Sequence, residues 1–337
     1  MNLRIFNHFS DISQDDWDSL VEQNETNVPF LKYGYLKNWW KFKGGGEWPE
    51  NSGLVLIAGF SGDHLVGIAP LFSPADTDGK KLMLLGSIEI SDYLDLICLP
   101  EHKAEFTQNL LNFIAEGNLG IDQIEFVNIP ERSTTLQLIK DHSKESGWKN
   151  TIEQAYHTPA IKLAADWDTY LAGIDKKQRH EIRRKMRRAE ESSDSIRWYI
   201  VQEQEKLDGE IQAFFSLMEM DDDKKKFLTP KMREQMSEII HWAFDEGILQ
   251  LSFLQIGQSK SAAYLCFDYG SHLLVYNSGF DYQFSEYSPG WVMLSYLIQH
   301  AIEAGKSHFD FMRGDETYKY RFGAEDSFVM RALLTRV

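Results

Sequence analysis

Between Asp310 and Lys319 the chain carries six side chains able to move protons or hold charge: Asp310, Arg313, Asp315, Glu316, Tyr318 and Lys319. Carboxylates, a phenol and an ammonium gathered this closely are the ingredients of general acid–base chemistry. Asp310 lies in the alternating run His308–Met312, where Phe309 and Phe311 share one face and Asp310 and Met312 the other. That alternation predicts a carboxylate in mid-strand rather than on a turn. Such an aspartate is either ion-paired, with Arg313 or Lys319 as the cation, or held in a cleft where its charge serves chemistry. Lys319 also stands four residues beyond Asp315, so a plain i,i+4 surface pair is open to it if that stretch is helical.

A second constellation stands upstream at Tyr287-Ser288-Pro289-Gly290-Trp291. Ser288 is placed to cap a helix whose first residue, Pro289, loses nothing by lacking an N–H. Gly290 would leave the first amides open to close approach, which makes an anion site of phosphate size. Val292, Met293, Leu294, Leu297, Ile298, Ala301 and Ile302 then keep one broad apolar face at helical spacing, and Gly305 supplies the stop. Strand, anion turn, helix and carboxylate-bearing strand thus make one compact β-α-β unit.

The third feature is a basic run, Lys176 to Arg188, with eight cations, Arg179, Arg183, Arg184 and Arg187 among them, against one acid. It carries +7 in a chain of formal net charge -16. The overall charge argues against nucleic acid or an anionic membrane as a bulk partner, but the concentrated positive face is a candidate for phosphate. Glu181, Glu190 and Glu191 are the only nearby acids, too few to neutralise it. The ligands that fit are the phosphates of coenzyme A, a nucleotide-linked sugar or tRNA; the competing reading is a solvated helical face.

These features need a frame. A chain of 337 residues, 43% hydrophobic and 26% charged, is of a size for two ordinary globular domains. The pattern predicts a mixed α and β first domain over 1–155, with strands at Leu54–Gly59 and Leu65–Leu71 joined by a Ser-Gly-Asp turn, and no Gly-rich helix start between Asp92 and Glu116. The second domain, 156–337, begins after an extended crossover at Ala155–Leu163. It reads as helix Leu171–Ser192, strand Arg197–Val201, helices Leu207–Met220 and Thr229–Glu246, then strands Leu249–Ile256, Ser261–Tyr269 and Leu273–Ser278. The run Asp221-Asp222-Asp223-Lys224-Lys225-Lys226 reads as a solvated loop. Cys98 and Cys266 sit in apolar runs and read as buried core thiols in a reducing, cytoplasmic setting. Metal-ligand spacings, a leader segment and an apolar run of membrane-spanning length are not expected from this sequence.

Ser288-Pro289-Gly290, the helix behind it, Asp310-Phe311, Arg313-Gly314-Asp315-Glu316 and Tyr318-Lys319 together resemble the GNAT acyltransferase superfamily, in its FemAB-like and CelD-like (BioF2-like) branch. Where ordinary members carry Gln/Arg-x-x-Gly-x-Gly/Ala at the turn, a single Gly290 here follows Ser-Pro. The resemblance implies an α+β (mixed α/β) fold of two tandem GNAT-like domains, the first degenerate and the second holding the cofactor turn. It implies an N-acyltransferase moving an acyl group, acetyl foremost, from acyl-CoA to an amine or amino-sugar acceptor, in cell-envelope or polysaccharide metabolism. On it, Tyr287, Ser288, Gly290, Trp291 and Arg313 bind the cofactor. Asp310 or Glu316 orients or deprotonates the amine, Lys319 or a strand N–H meets the oxyanion, and Tyr318 protonates the thiolate. Two alternatives stand beside it: a FemAB-like transferase using aminoacyl-tRNA, gripped by the basic helix, and a non-catalytic protein holding a saccharide or nucleotide precursor.

Overall fold

The computed structural model describes residues 1–75, 80–117, 119–192 and 194–337. The chain divides into two compact units, Met1–Tyr156 with Phe328–Val337, and His157–Ser327. The last ten residues, which the sequence reading counts with the second domain, therefore belong to the first.

In the first unit β1 (Asn2–Phe6), α1 (Gln14–Gln23) and α2 (Tyr33–Gly46) precede the hairpin of β2 (Gly53–Ser61) and β3 (His64–Ser73). Then follow β4 (Lys81–Leu84), β5 (Ile97–Cys98), α3 (Lys103–Glu116), β6 (Gln123–Pro130), α4 (Thr134–His142) and β7 (Trp148–His157). Strands β4 and β6 pair in parallel around the crossover helix α3. At the head of that helix the Lys103 ammonium is buried against Glu25 (3.1 Å) and Asp95 (3.4 Å). Asp95 itself accepts from Thr26, Ser133 and Thr135 hydroxyls and from the Leu96 amide. A buried carboxylate so fully satisfied holds three segments together at the head of α3.

The second unit opens with β8 (Ala160–Lys162), then α5 (Trp167–Gly173) and α6 (Lys176–Glu190). The sequence reading makes these two helices one; Asp175 divides them, because its carboxylate accepts the amides of Lys177 (2.9 Å) and Gln178 (3.2 Å) and so starts a new helix. Next come β9 (Ile196–Ile200), α7 (Gln204–Met218), α8 (Asp222–Phe227), α9 (Pro230–Asp245), and the meander β10 (Leu249–Ile256), β11 (Ser259–Tyr269) and β12 (His272–Phe280). The supposed solvated loop at Asp221–Lys226 is thus mostly helix, started by the Asp221 cap. Helix α10 (Pro289–Glu303) crosses over to β13 (His308–Asp310), and α11 (Thr317–Arg321) follows. The final strand, β14 (Phe328–Arg336), pairs with β6: Val329, Ala332 and Leu334 are buried there, and this apolar set draws the tail into the first sheet.

The second sheet runs β8-β13-β12-β11-β10-β9, antiparallel except for β12 and β13. On one face α6 and α10 bury Ile182, Met186, Val292, Leu297 and Ile298 against Leu254, Cys266, Leu273 and Phe309. Cys98 and Cys266 are buried free thiols, as expected, and burial pushes the Cys98 thiol up to about 12. Among the described residues no helix is long and apolar enough to cross a membrane.

Candidate active site

Strands β12 and β13 pair in parallel over only three positions, His272–Leu274 with His308–Asp310. Beyond Leu274, β12 runs on to Phe280 while β13 stops, so the two strands part. A register shift at Leu265/Cys266 on the β11 side adds a bulge at the same level, a device that re-aims side chains near sites. The gap is a cleft of about 430 Å³ lined by Tyr264, Ser278, Phe280, Asp281, Tyr282, Ser285, Ser288, Pro289, Gly290, Trp291, Leu294, Glu316 and Tyr318, with Lys224 entering from α8. It lies outside the carboxyl end of a parallel pair at a crossover helix, the place where open α/β sheets hold ligands.

The head of α10 differs from the expected capped turn. Ser288 takes a left-handed conformation (φ 53°, ψ 53°) and its side chain caps nothing. Instead its carbonyl receives the amides of Trp291 (3.0 Å) and Val292 (3.1 Å). Gly290 is needed for packing: a Cβ there would lie 2.9 Å from the Phe280 ring, so the room foreseen for a ligand is filled by that side chain. The fixed charge at this helix start is Lys185 of α6. Its ammonium donates to Ser288 Oγ (3.1 Å), lies 4.4 Å from the centre of the Trp291 ring and pairs with Glu181 (3.6 Å). Burial lowers the Lys185 pKa. Trp291 is a cleft wall, whereas Tyr287 turns away and donates its hydroxyl to Asp194.

The other wall is built by the turn after β13. Asp310 is the last strand residue, not a mid-strand one, and its Oδ1 accepts the Met312 amide at 2.7 Å. Met312 (φ 60°) and Gly314 (φ 110°) then curl the backbone so that three successive carbonyls converge. The Lys319 ammonium receives them, donating to Met312 O (3.4 Å), Arg313 O (2.8 Å) and Gly314 O (3.0 Å), and pairs with Glu316 (2.9 Å). Lys319 is only 2% exposed, and neither it nor Asp310 nor Arg313 is among the cleft residues. The expected oxyanion donor is therefore a clamp on the loop, and the pair it forms is with Glu316 at i,i+3 rather than with Asp315 or Asp310. Glu316 and Tyr318, which the clamp presents, do line the cleft. Burial raises the Tyr318 pKa well above that of a free phenol, so it stays protonated at neutral pH.

The basic helix turns its charge outward. Ile182, Met186 and Ala189 face the core, while Arg183 reaches Asp168 (3.3 Å), Arg184 grips Glu181 (2.7 Å) and Arg188 approaches Glu286 (3.6 Å). Arg179 donates to the Leu171 and Ala172 carbonyls (3.4 and 3.2 Å), and Arg187 is exposed. The shortage of acids inferred from the sequence is relieved by Asp168 and Glu286, which only folding brings near. Exposed pairs of this kind add little to stability. None of these arginines lines the cleft.

Sequence reasoning missed Lys185, Lys224, Tyr264, Phe280 and Tyr282. Lys185 flanks the Ile182–Met186–Ala189 stripe, a position from which a long side chain turns partly inward, so a helical projection of the basic run hints at it. Which lysine of three in the Asp221–Lys226 run enters the cleft is decided by the Asp221 cap and the place of α8. Among the described residues no group of three or more His, Cys, Asp or Glu could hold a metal ion.

A family model for the acetyltransferase (GNAT) domain matches residues 176–320, which span α6, the cleft and the Lys319 clamp. No curated protein sequence matches the chain. Among solved structures it is similar to FemX, at 14% identity and a TM-score of 0.64 over 100% of this chain and 98% of that one. It is also similar to a tandem GNAT protein from the clavulanic acid biosynthesis pathway (11%, 0.52, 98% of each chain). A third likeness is to the C-terminal domain of a putative lysylphosphatidylglycerol synthetase from Agrobacterium fabrum (11%, 0.53, 95% of this chain and 90% of that one). At such identities these likenesses speak for the fold, and they agree with the two sheet-and-helix units seen here. Residues 176–320 thus match the acetyltransferase (GNAT) domain model, and the chain as a whole is similar in fold to the FemX and tandem GNAT structures.

Proposed function

We propose that the protein is an N-acyltransferase that moves an acyl group, acetyl foremost, from acyl-CoA to an amine held in the cleft of the second unit. The observation that carries this reading is the placing of Glu316 and Tyr318 together in a cleft beside the head of α10 and the Lys185 charge. The amine arrives as an ammonium, and Glu316 takes its proton. The nitrogen then attacks the thioester carbonyl; as the C–N bond forms and the C–S bond breaks, Tyr318 gives its proton to the departing sulfur and is reprotonated by the second proton that the nitrogen sheds in becoming an amide. A backbone N–H on the cleft side of β12 beyond Leu274 is the candidate for the oxyanion, in place of Lys319. Lys185 and the positive end of α10 suit the donor's phosphates. The first unit, where the Lys103–Asp95 network packs the head of α3, serves as scaffold or acceptor platform.

Acetyl-CoA at a hundred times its Kd is expected to stabilise the protein by about 2.7 kcal/mol, read as a rise in melting temperature. Deacylated tRNA and a UDP-sugar serve as controls, and no shift with acetyl-CoA would remove the donor assignment. The exposed guanidiniums of Arg183, Arg184 and Arg187 favour a second reading, in which the donor is an aminoacyl-tRNA held along α6. Changing all three to Gln is expected to leave acetyl-CoA affinity within about threefold, because the side chains point away from the cleft. Collapse of tRNA affinity and of its salt dependence in this variant, with no acetyl-CoA binding in the wild type, would decide for the tRNA donor.

A further inference from the structure

Three charged side chains line the cleft: Glu316, which the transfer chemistry above uses, Asp281, which accepts the Gln283 amide (2.9 Å), and Lys224, the one cation among them, which is left without a task. Lys224 is carried on α8, whose orientation is set by Asp221: one carboxylate oxygen accepts the amides of Asp223 (3.0 Å) and Lys224 (3.1 Å). From there its side chain reaches β12, where the ammonium donates to the Ser278 carbonyl (2.5 Å) and hydroxyl (3.3 Å). An ammonium has three protons, so one donor is left beyond the two that anchor it. Burial lowers the Lys224 pKa, while Asp221 and Glu316 pull the other way. Lys224 and Glu316 thus feel one another and line the same cleft, whose remaining walls are chiefly Phe280, Tyr282, Trp291 and Leu294.

A ligand anion relieves the burial of a lysine held in a largely apolar wall by a carbonyl and a hydroxyl, while Glu316, already paired with Lys319, can take a cation on its solvent-facing side. A ligand with both charges and an apolar body answers the whole lining, and hydroxyl-rich sugars do not, because most of their hydroxyls would face rings and methyl groups. A volume of about 430 Å³ is within the range of small-molecule sites and accommodates an amino acid together with the end of a thioester arm. We propose that the acceptor is a free amino acid with an apolar or aromatic side chain, its α-amine on Glu316 and its carboxylate on Lys224. This rests on the acyl-transfer reading of the same cleft, and makes Lys224 the residue that determines acceptor specificity.

The test is calorimetric titration of the full chain, without any donor, using L-phenylalanine and L-leucine against phenethylamine, isoamylamine and 3-phenylpropionate. At least one amino acid is expected to bind tenfold or more tighter than its single-charge analogues, since each analogue meets only one of the two charged groups. Lys224→Met is expected to reduce that amino acid to the affinity of the matching amine and to leave the amine unchanged. In the acetyl-CoA assay the same variant should raise the amino acid's KM tenfold or more with kcat within threefold. Equal binding of amino acid and amine by the wild-type protein, or equal loss of both in Lys224→Met, overturns the proposal. The wild-type comparison decides even if the variant fails to fold. Amino-acid discrimination without any response to acetyl-CoA would leave the acceptor assignment standing and remove the donor; the reverse result would remove the acceptor assignment alone.

Discussion

Glu316→Gln is expected to lower turnover by about a hundredfold or more, the range that a positioned general base contributes. Of the two carboxylates that line the cleft, Glu316 and Asp281, Glu316 stands on the same loop as Tyr318 and has a side chain 58% exposed. Glutamine keeps the length and an oxygen that can still accept from Lys319, so the loop clamp survives; what is lost is the ability to take a proton. The pair with Lys319 is half in water on the Glu316 side, and Lys319 keeps its three carbonyl partners. The melting temperature should therefore fall by no more than about 3 °C, which corresponds to roughly 1 kcal/mol in a unit of this size. Single-turnover rates and melting curves on the same preparation decide the matter. A fall in rate under tenfold with an intact fold would exclude Glu316 as the base.

Lys319→Met is expected to act in the opposite way, on stability. The ammonium is 2% exposed and gathers the carbonyls of Met312, Arg313 and Gly314. Methionine fills the volume but gives none of them a donor, and each buried carbonyl left unpaired costs about 1–3 kcal/mol. A loss of about 3 kcal/mol or more is expected, comparable to the cost of breaking a buried ion pair. The two units can unfold separately, so amide exchange across Phe311–Phe322 is the cleaner measurement: protection there should drop before protection in β1–β7 does. If Lys319→Met kept wild-type protection and stability yet lost activity, the oxyanion role expected from the sequence would be restored.

Much of the fold was legible because it rests on local periodicity. The apolar face from Val292 to Ile302 with Gly305 behind it, the full extent of β10 at Leu249–Ile256, and the buried states of Cys98 and Cys266 all follow from spacing and residue type. So did the presence of Glu316 and Tyr318 near a helix start, because a strand, a crossover helix and a short return loop leave few places for them. Features set by a single backbone angle were not legible. Ser288 reads as a cap, and nothing local announces that its φ is 53° and that its carbonyl takes the Trp291 and Val292 amides. Asp310 and Lys319 read as a pair because both are charged and close in sequence. Which of them faces the cleft depends on the turn at Met312 and Gly314.

By itself, then, the sequence determined the class of the protein: two α/β units, a β-α-β core with an acidic loop, and a concentrated cationic helix, all properties that local pattern and composition carry. The tertiary structure alone decided four matters. It divided the basic helix between Lys185, turned to the head of α10, and arginines paired outward with Asp168 and Glu286. It packed the head of α3 with Asp95 and Lys103. It assigned the last strand to the first sheet. It brought Lys224 from a run that looked solvated to face Glu316 across an aromatic cleft. The physical reason is common to all four: charge partners are chosen by distance in space, over separations of tens to hundreds of residues, and periodicity reports only which face of an element is buried, never what that face meets.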